Sequence, residues 1–182
     1  MSSILFDGQM TISSVNSLVE LEITRALPEQ EPILANMLEL YAHDFSEFTD
    51  ITLGPDGRFG YRNLPLYWED SNRHPFLIRA DSHLAGFALV TKGSEISSDP
   101  DVWDMTEFFI VRGCRRLGIG TEATQAIWKN FPGKWEVRVI DRNKKAIKFW
   151  RRAIHTFLGQ PIEPTPFDED GAGWHVFSFE SH

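Results

Sequence analysis

The stretch that decides the fold reads Phe108-Phe-Ile-Val-Arg-Gly-Cys-Arg-Arg-Leu-Gly-Ile-Gly-Thr-Glu-Ala123. Its apolar beginning predicts a strand, its basic middle with glycines predicts a turn, and the residues that follow, up to Asn130, predict a helix. Glycine lets the backbone approach a ligand closely, and the first N–H groups of a helix bind anions. Arg115 and Arg116 add the positive charge that suits a pyrophosphate.

By itself this turn admits three interpretations. It is an ordinary strand-to-helix turn whose glycines relieve strain, or a nicotinamide-dinucleotide site in which Gly118-Ile-Gly-Thr-Glu-Ala123 is followed by Asp141, or the pyrophosphate loop of coenzyme A. A dinucleotide domain needs several βαβ units and glycines directly after the strand, and the sequence predicts neither. No Gly-Lys-Ser/Thr follows the glycines, which excludes a P-loop.

A second motif, Asn143-Lys-Lys-Ala146-Ile-Lys-Phe149-Trp150, follows one predicted strand later. Together with Arg115-Arg-Leu-Gly-Ile-Gly120 it resembles the two signatures of the GNAT superfamily of acetyltransferases. The order of the predicted elements over residues 18–180 resembles that superfamily as well. Within it, the segments around Glu107 and Phe149 are similar to a bacterial branch of predicted acetyltransferases without an assigned substrate.

The resemblance implies an α/β (α+β) fold. Its mixed, mostly antiparallel central sheet has about six to seven strands, is splayed at the fourth and fifth, and carries helices on both faces. Residues 19–182 are expected to form one acetyltransferase domain after a loose N-terminal arm, residues 1–18. Acetyl-CoA is the implied co-substrate. The residues implied to contact it are Phe108, Phe109, Ile110, Arg115, Arg116, Leu117, Gly118, Ile119, Gly120, Thr121, Asn143, Ala146, Phe149 and Trp150.

The implied reaction is direct transfer of an acetyl group to a primary amine, and Glu107 and Asp104 are the candidate general bases. Glu107 is preferred because it lies on the strand where the thioester is expected; Asp104 lies three residues earlier on the opposite face. The sequence departs from the family at Trp150, where a tyrosine normally serves as the acid. Indole donates a hydrogen bond but delivers no proton. This departure motivates an alternative, a CoA-binding sensor without turnover.

The acceptor site is expected on the amphipathic helix predicted after Pro28 and on the loop beyond it. Tyr41, Asp44 and Phe45 on the helix, with Tyr67 from a short helical turn, are the candidate residues for a small-molecule amine. The spacing of Tyr41 and Phe45 also suits core packing. The sequence does not name the acceptor.

The composition of the chain argues against several other classes of partner and ligand. The chain has 182 residues and a net charge of −8, which argues against nucleic acid as a partner. Its one cysteine, Cys114, allows no internal disulfide and no cysteine zinc cage, and no metal is expected. No apolar run is long enough to span a membrane, and the first residues lack a signal-peptide pattern, so a cytoplasmic protein is expected. An exposed sheet edge is compatible with a homodimer.

Overall fold

The computed structural model describes residues 2–6, 9–14 and 19–182. These residues belong to two compact units, one of Met1–Leu89 with Glu107–Ile119 and the other of Val90–Thr106 with Gly120–His182. Two strands, β5 (His83–Lys92) and β6 (Trp103–Ile110), contribute residues to both units. The expectation of one domain over residues 19–182 stays a prediction.

The first unit orders its strands β1-β2-β3-β4-β5-β6 in the sheet. Its further elements are β1 (Ser2–Phe6), β2 (Gln9–Ser14), β3 (Leu21–Arg25), β4 (Arg73–Ala80), the helix α1 (Glu31–Phe45) and the one-turn helix α2 (Leu66–Glu69). Antiparallel pairing joins β1 to β2, β2 to β3 and β3 to β4. Strands β4 and β5 form a hairpin, whose two turn residues, Asp81 and Ser82, have φ of 48° and 65°. Positive φ at both positions matches the twist of the flanking strands.

The N-terminal segment has more regular structure than the loose arm that the sequence predicts. Its described backbone forms the β1–β2 hairpin, with Ser2 opposite Ser13 and Phe6 opposite Gln9. Strand β2 then pairs with β3 from Ser14 opposite Leu21 to Thr11 opposite Thr24. Pairing with β3 supplies backbone hydrogen-bond partners that the segment lacks on its own, and sequence periodicity does not show it.

The core of the first unit lies between α1 and the strands. Helix α1 follows a 3-10 turn at Pro28–Gln30, and its second residue is Pro32, where the missing N–H costs no helical hydrogen bond. The apolar face of α1 then packs with residues of the strands and of the segment before β4. The buried cluster consists of Ala26, Leu34, Met37, Leu38, Leu64, Tyr67, Leu77, Phe87, Leu89 and Phe109.

The second unit orders its strands β5-β6-β7-β9-β8. Its further elements are α3 (Ile119–Asn130), β7 (Gly133–Ile140), α4 (Lys144–Leu158), β8 (Thr165–Glu169) and β9 (Ala172–Ser181). The pair β6–β7 is parallel and comprises Trp103 with Trp135 and Asp104 with Glu136, at the start of β6. Strand β9 runs antiparallel to β7 and to β8. Residues 19–182 thus contain the seven strands, mostly antiparallel, and the one parallel pair that the GNAT resemblance implies, and the predicted fold class is confirmed.

Aromatic side chains form the centre of the second unit. Trp128 on α3 is fully buried, and the centroid of its ring lies 5.0 Å from that of Phe179 and 5.2 Å from that of Phe157.

In residues 2–6, 9–14 and 19–182 no helix is long and apolar enough to cross a membrane. The same residues contain no group of three or more His, Cys, Asp or Glu side chains placed to hold a metal ion. The cytoplasmic location and the homodimer stay predictions.

Candidate active site

A cavity of about 210 Å³ lies in the first unit between α1, the loop after it and Glu107 of β6. Three residues that the sequence assigns to the site, Tyr41, Phe45 and Glu107, lie in its wall. Tyr41 and Phe45 stack with their ring centroids 5.5 Å apart, and Tyr41 also meets Phe109 edge-on at 6.1 Å. The complete wall consists of Leu38, Glu39, Tyr41, Ala42, Phe45, Ile51, Phe59, Gly60, Tyr61 and Glu107.

A chain of hydrogen bonds runs from Tyr67 through Tyr61 to Glu107. The Tyr61 side chain is hydrogen-bonded to both of the others. Burial, and next the negative charge of Glu107, raise the pKa of Tyr61 well above its ordinary value. Tyr61 is therefore protonated at any pH at which the protein works, and its hydroxyl donates a hydrogen bond to the carboxylate. Tyr67 is fully buried and is not a wall residue.

Glu39 fixes the loop that closes one side of the cavity. Its two carboxylate oxygens accept from the backbone N–H groups of Phe59, at 2.8 Å, and of Gly60, at 2.9 Å. Charge-assisted hydrogen bonds of this kind are among the stronger ones in proteins. The bonds hold Phe59 and the neighbouring Tyr61 at a fixed position relative to α1.

Asp44 is bound to two arginines. Its carboxylate accepts from Arg112 Nη2 at 2.6 Å and from Arg115 Nη2 at 2.7 Å. Burial raises the pKa of Asp44, but the hydrogen bonds and charges of the two guanidinium groups outweigh it and hold the pKa below its ordinary value. Arg115 also donates from Nε to the carbonyl of Ile110 at 2.7 Å and lies over the ring of Phe109. Asp44 therefore joins α1 to the basic turn and is not a wall residue of the cavity.

The basic glycine turn is open to solvent. Residues 115–118 are exposed, with Leu117 at 57%, whereas Ile119 at the start of α3 is buried. Arg116 and Gly118 have φ of 68° and 84°, so two residues of the turn adopt the left-handed conformation before the helix begins. The first N–H groups of α3 have no acceptor within the helix. Solvent access, positive charge and exposed backbone give this turn the character that an anion site requires.

The second motif is on α4 in the second unit. The Asn143 side chain accepts from the N–H of Ala146 at 3.0 Å and so caps the helix. Phe149 and Trp150 meet edge-on at 5.0 Å, and Trp150, only 6% exposed, lies 6.2 Å from the ring of Trp128. Capping and core packing are thus established roles of Asn143 and Trp150, and their contact with CoA stays a prediction.

Asp104 lies in the second unit and is 4% exposed. One carboxylate oxygen accepts from Arg138 Nη2 at 3.2 Å, and the other is buried without a hydrogen-bond partner among the described residues. Burial, opposed by the positive charge of Arg138 and supported by the negative charges of Glu95 and Glu136, raises the pKa of Asp104 to about 6. Asp104 is buried and ion-paired with Arg138, and its role as a base stays a prediction.

The structure brings together some of the predicted residues and adds others. Glu107, Tyr41 and Phe45 share one cavity, while Arg115 and Asp44 share an ion pair. Three further residues, Tyr61, Glu39 and Phe59, were not predicted from the sequence, because no motif or periodicity marks them as site residues. The single available signal was the short aromatic run around Tyr61, which ends at Tyr67 and Trp68. The remaining predicted contacts with CoA, at residues 108–110 and 115–121 and at Ala146 and Phe149, stay predictions.

Comparison with known proteins gives the family. Residues 34–155 match the model of the acetyltransferase (GNAT) family, which is more than half of the chain. The chain therefore belongs to the GNAT acetyltransferase family. Among curated proteins, none matches this sequence at a significant level. The mostly antiparallel sheet and the family together exclude the nicotinamide-dinucleotide alternative.

Solved structures share the fold at low identity. An acetyltransferase from Thermus thermophilus is 17% identical with a TM-score of 0.63, over 88% of this chain and 96% of that one. RimL, a ribosomal L7/L12 alpha-N-protein acetyltransferase, is 12% identical with a TM-score of 0.64, over 98% and 99%. The GNAT domain of S. lividans PAT is 11% identical with a TM-score of 0.66, over 93% and 96%. At these identities the likeness shows the fold alone.

Proposed function

We propose that this chain transfers an acetyl group from acetyl-CoA to the primary amine of a small molecule bound in the cavity of the first unit. Membership of the GNAT family supports acetyl transfer in general. One observation carries the finer proposal: Glu107, the preferred base on sequence grounds, lies in the wall of a cavity that also contains Tyr41 and Phe45.

In this proposal Glu107 accepts the proton that the ammonium group of the acceptor must lose before it attacks. The amine nitrogen then forms a bond to the thioester carbonyl carbon, and the carbon–sulfur bond breaks with its electron pair going to sulfur. The nitrogen loses its second proton as the amide forms, the thiolate takes up one proton to leave as the thiol, and the proton held by Glu107 passes to solvent. Tyr61 holds the carboxylate in place through its hydrogen bond, and the cavity orients the amine.

The exposed glycine turn supports acetyl-CoA as the donor. In this proposal the backbone N–H groups of residues 117–119 and the side chain of Arg116, all in the first unit, bind the pyrophosphate. Arg115 contributes charge but is already held by Asp44 and by the Ile110 carbonyl. The proposed donor-binding residues are those that the resemblance implies.

Two measurements on the purified protein test the proposal. Calorimetry with acetyl-CoA measures donor binding, and thiol release in the presence of a panel of primary amines measures turnover. Glu107→Gln is expected to keep donor affinity and to lose turnover by at least about a hundredfold. Glu69→Gln, at an exposed position of α2, is the matched control and keeps both.

The outcomes separate the alternatives. Donor binding without thiol release for any amine would favour the CoA-binding sensor that Trp150 motivates. Absence of donor binding would overturn the proposal altogether. Full turnover in Glu107→Gln would leave acetyl transfer standing and remove Glu107 as the base.

A further inference from the structure

We infer that the acceptor is a compact, singly charged primary amine with an apolar, aromatic or alkyl, body. This inference rests on the proposed function and narrows it to a substrate class. Its basis is the chemistry of the cavity wall in the first unit, which combines a large apolar surface with a limited negative charge.

The apolar part of the cavity wall determines that the body of the substrate must be apolar. Leu38, Ala42, Phe45, Ile51 and Phe59 present hydrocarbon or aromatic surface to the cavity, and the Tyr41 ring is stacked on Phe45. A polar body would lose its hydration against these side chains without gaining hydrogen bonds. A phenyl or alkyl body instead gains free energy from leaving water.

The charged part of the wall sets the number of positive charges. The wall has two carboxylates, Glu39 and Glu107, and no lysine or arginine among the residues that the structure describes. Both oxygens of Glu39 already accept from Phe59 and Gly60. Glu107 is thus the one carboxylate placed to balance an ammonium group. One cation fits this arrangement, whereas a polyamine or an aminoglycoside brings several that would be left without counter-charge.

The size of the cavity sets the size of the substrate. Its volume of about 210 Å³ lies below the ~300 Å³ at which pockets for drug-sized ligands begin. Phenethylamine and n-hexylamine satisfy all three conditions, which are an apolar body, a single positive charge and a small size.

Thiol release from acetyl-CoA by the full chain tests this inference with matched acceptors. Phenethylamine and n-hexylamine are expected to exceed ethylamine in kcat/KM by roughly ten- to hundredfold, because the extra apolar surface is buried. Spermidine, kanamycin and glycinamide are expected to be at least tenfold poorer than phenethylamine. The isosteric alcohol 2-phenylethanol controls for the amine itself and is expected to give no turnover.

A pair of variants connects the preference to this cavity. Ala42→Phe places a ring in the cavity and is expected to raise KM for phenethylamine at least tenfold while acetyl-CoA affinity stays unchanged. Asn36→Phe adds the same ring on the exposed face of α1 and is expected to change neither.

The results distinguish failure of the inference from failure of the proposed function. Turnover with spermidine or kanamycin equal to or above that with phenethylamine would overturn the inference and leave acetyl transfer intact. An Ala42→Phe variant that binds acetyl-CoA and keeps the wild-type KM would also overturn it. If wild-type protein binds no acetyl-CoA, the proposed function fails, and the inference fails with it.

Discussion

The Tyr61 hydroxyl is hydrogen-bonded to the side chain of Glu107, and both line the same cavity of the first unit. The two residues come from a loop and a strand that lie far apart in the sequence. Tyr67 is hydrogen-bonded to Tyr61 in turn, so the carboxylate ends a chain of two phenols, of which Tyr67 is fully buried and Tyr61 partly buried. This relationship gives Glu107 a fixed orientation in the cavity wall, which a general base requires.

Replacing Tyr61 by Phe is expected to lower kcat by roughly tenfold to a hundredfold. A hydrogen bond to a charged group is lost, while the ring and its packing remain. Because burial and the Glu107 charge raise the pKa of Tyr61, its hydroxyl donates at all working pH values and stabilises the ionised carboxylate. The acid limb of the kcat/KM profile is therefore expected to move to higher pH in Tyr61→Phe. Steady-state kinetics across pH measures both effects.

Tyr67→Phe is the matched comparison, because it removes the next hydroxyl of the same chain. Tyr67 is fully buried, so this variant is expected to lose about 1 kcal/mol of stability and to keep most of its activity. If the two variants had equal kinetics and equal pH profiles, a positioning role specific to Tyr61 would be untenable.

Asp44→Asn is expected to strengthen acetyl-CoA binding about three- to tenfold. Asp44 neutralises Arg112 and Arg115, and removing its charge leaves the turn more positive toward a pyrophosphate. Arg115 stays in place because its Nε still donates to the Ile110 carbonyl. Calorimetry at low and high salt measures the change, which is expected to shrink with salt. Asp50→Asn, at an exposed position of the same unit, removes one charge elsewhere and is expected to leave acetyl-CoA affinity unchanged. Weaker acetyl-CoA binding in Asp44→Asn would contradict the prediction and would mean that the ion pairs of Asp44 order the turn.

The sequence motifs predicted those parts of the protein whose backbone conformation is set by neighbouring residues in the sequence. The glycine turn follows its strand and precedes a helix as expected, because apolar alternation, glycine and helix periodicity are all local signals. The helix α4 begins directly after Asn143, the first residue of the second motif, whose side chain caps it. Glu107 was assigned to the thioester strand by the family resemblance, and the structure places it in a cavity wall.

Non-local pairing explains what the sequence did not predict. Strand β8 is an edge strand with one mostly exposed face, and its Thr165-Pro-Phe-Asp-Glu has no apolar alternation. Strands β1 and β2 depend on pairing with β3. The partnership of Asp44 with Arg112 and Arg115 joins a helix to a turn far along the chain, and no spacing rule reports it. The cavity-side role of Tyr61 depends on Glu39 fixing its loop by backbone hydrogen bonds.

Gly86→Ala is expected to destabilise the protein by about 3 kcal/mol. A Cβ at this position of β5 would lie 2.3 Å from the Phe109 carbonyl oxygen and 2.8 Å from Ile110 Cδ1, and the backbone oxygen cannot move away without shifting β6. Gly173→Ala is the control in another strand, since its Cβ would meet Asp141 Cβ at an ordinary 3.6 Å. Thermal and urea unfolding measure both variants. Equal free energies of unfolding for the two variants would show that the backbone of β6 shifts at Phe109 without a loss of stability.

Asp104→Asn is expected to become more stable relative to wild type as pH rises. Burial raises the pKa of Asp104 to about 6 from an ordinary value of 3.8, in spite of the ion pair with Arg138. The native state therefore binds this proton more tightly than the unfolded state does. The contribution of Asp104 to stability is fully present below about pH 3.8 and is lost as pH rises through about 6. Asn carries no charge and has no such loss.

The gain of the Asn variant over wild type between acidic and neutral pH is expected to be on the order of 3 kcal/mol. Urea unfolding of both proteins across this range measures it. His74, whose pKa burial lowers to about 4, titrates in the same window with the opposite sign, because its charged form disfavours the native state. That effect is common to both proteins and cancels in the difference. A difference in unfolding free energy that is constant with pH would show that Asp104 has the same pKa in the folded and the unfolded protein, with Arg138 offsetting both its burial and the charges of Glu95 and Glu136.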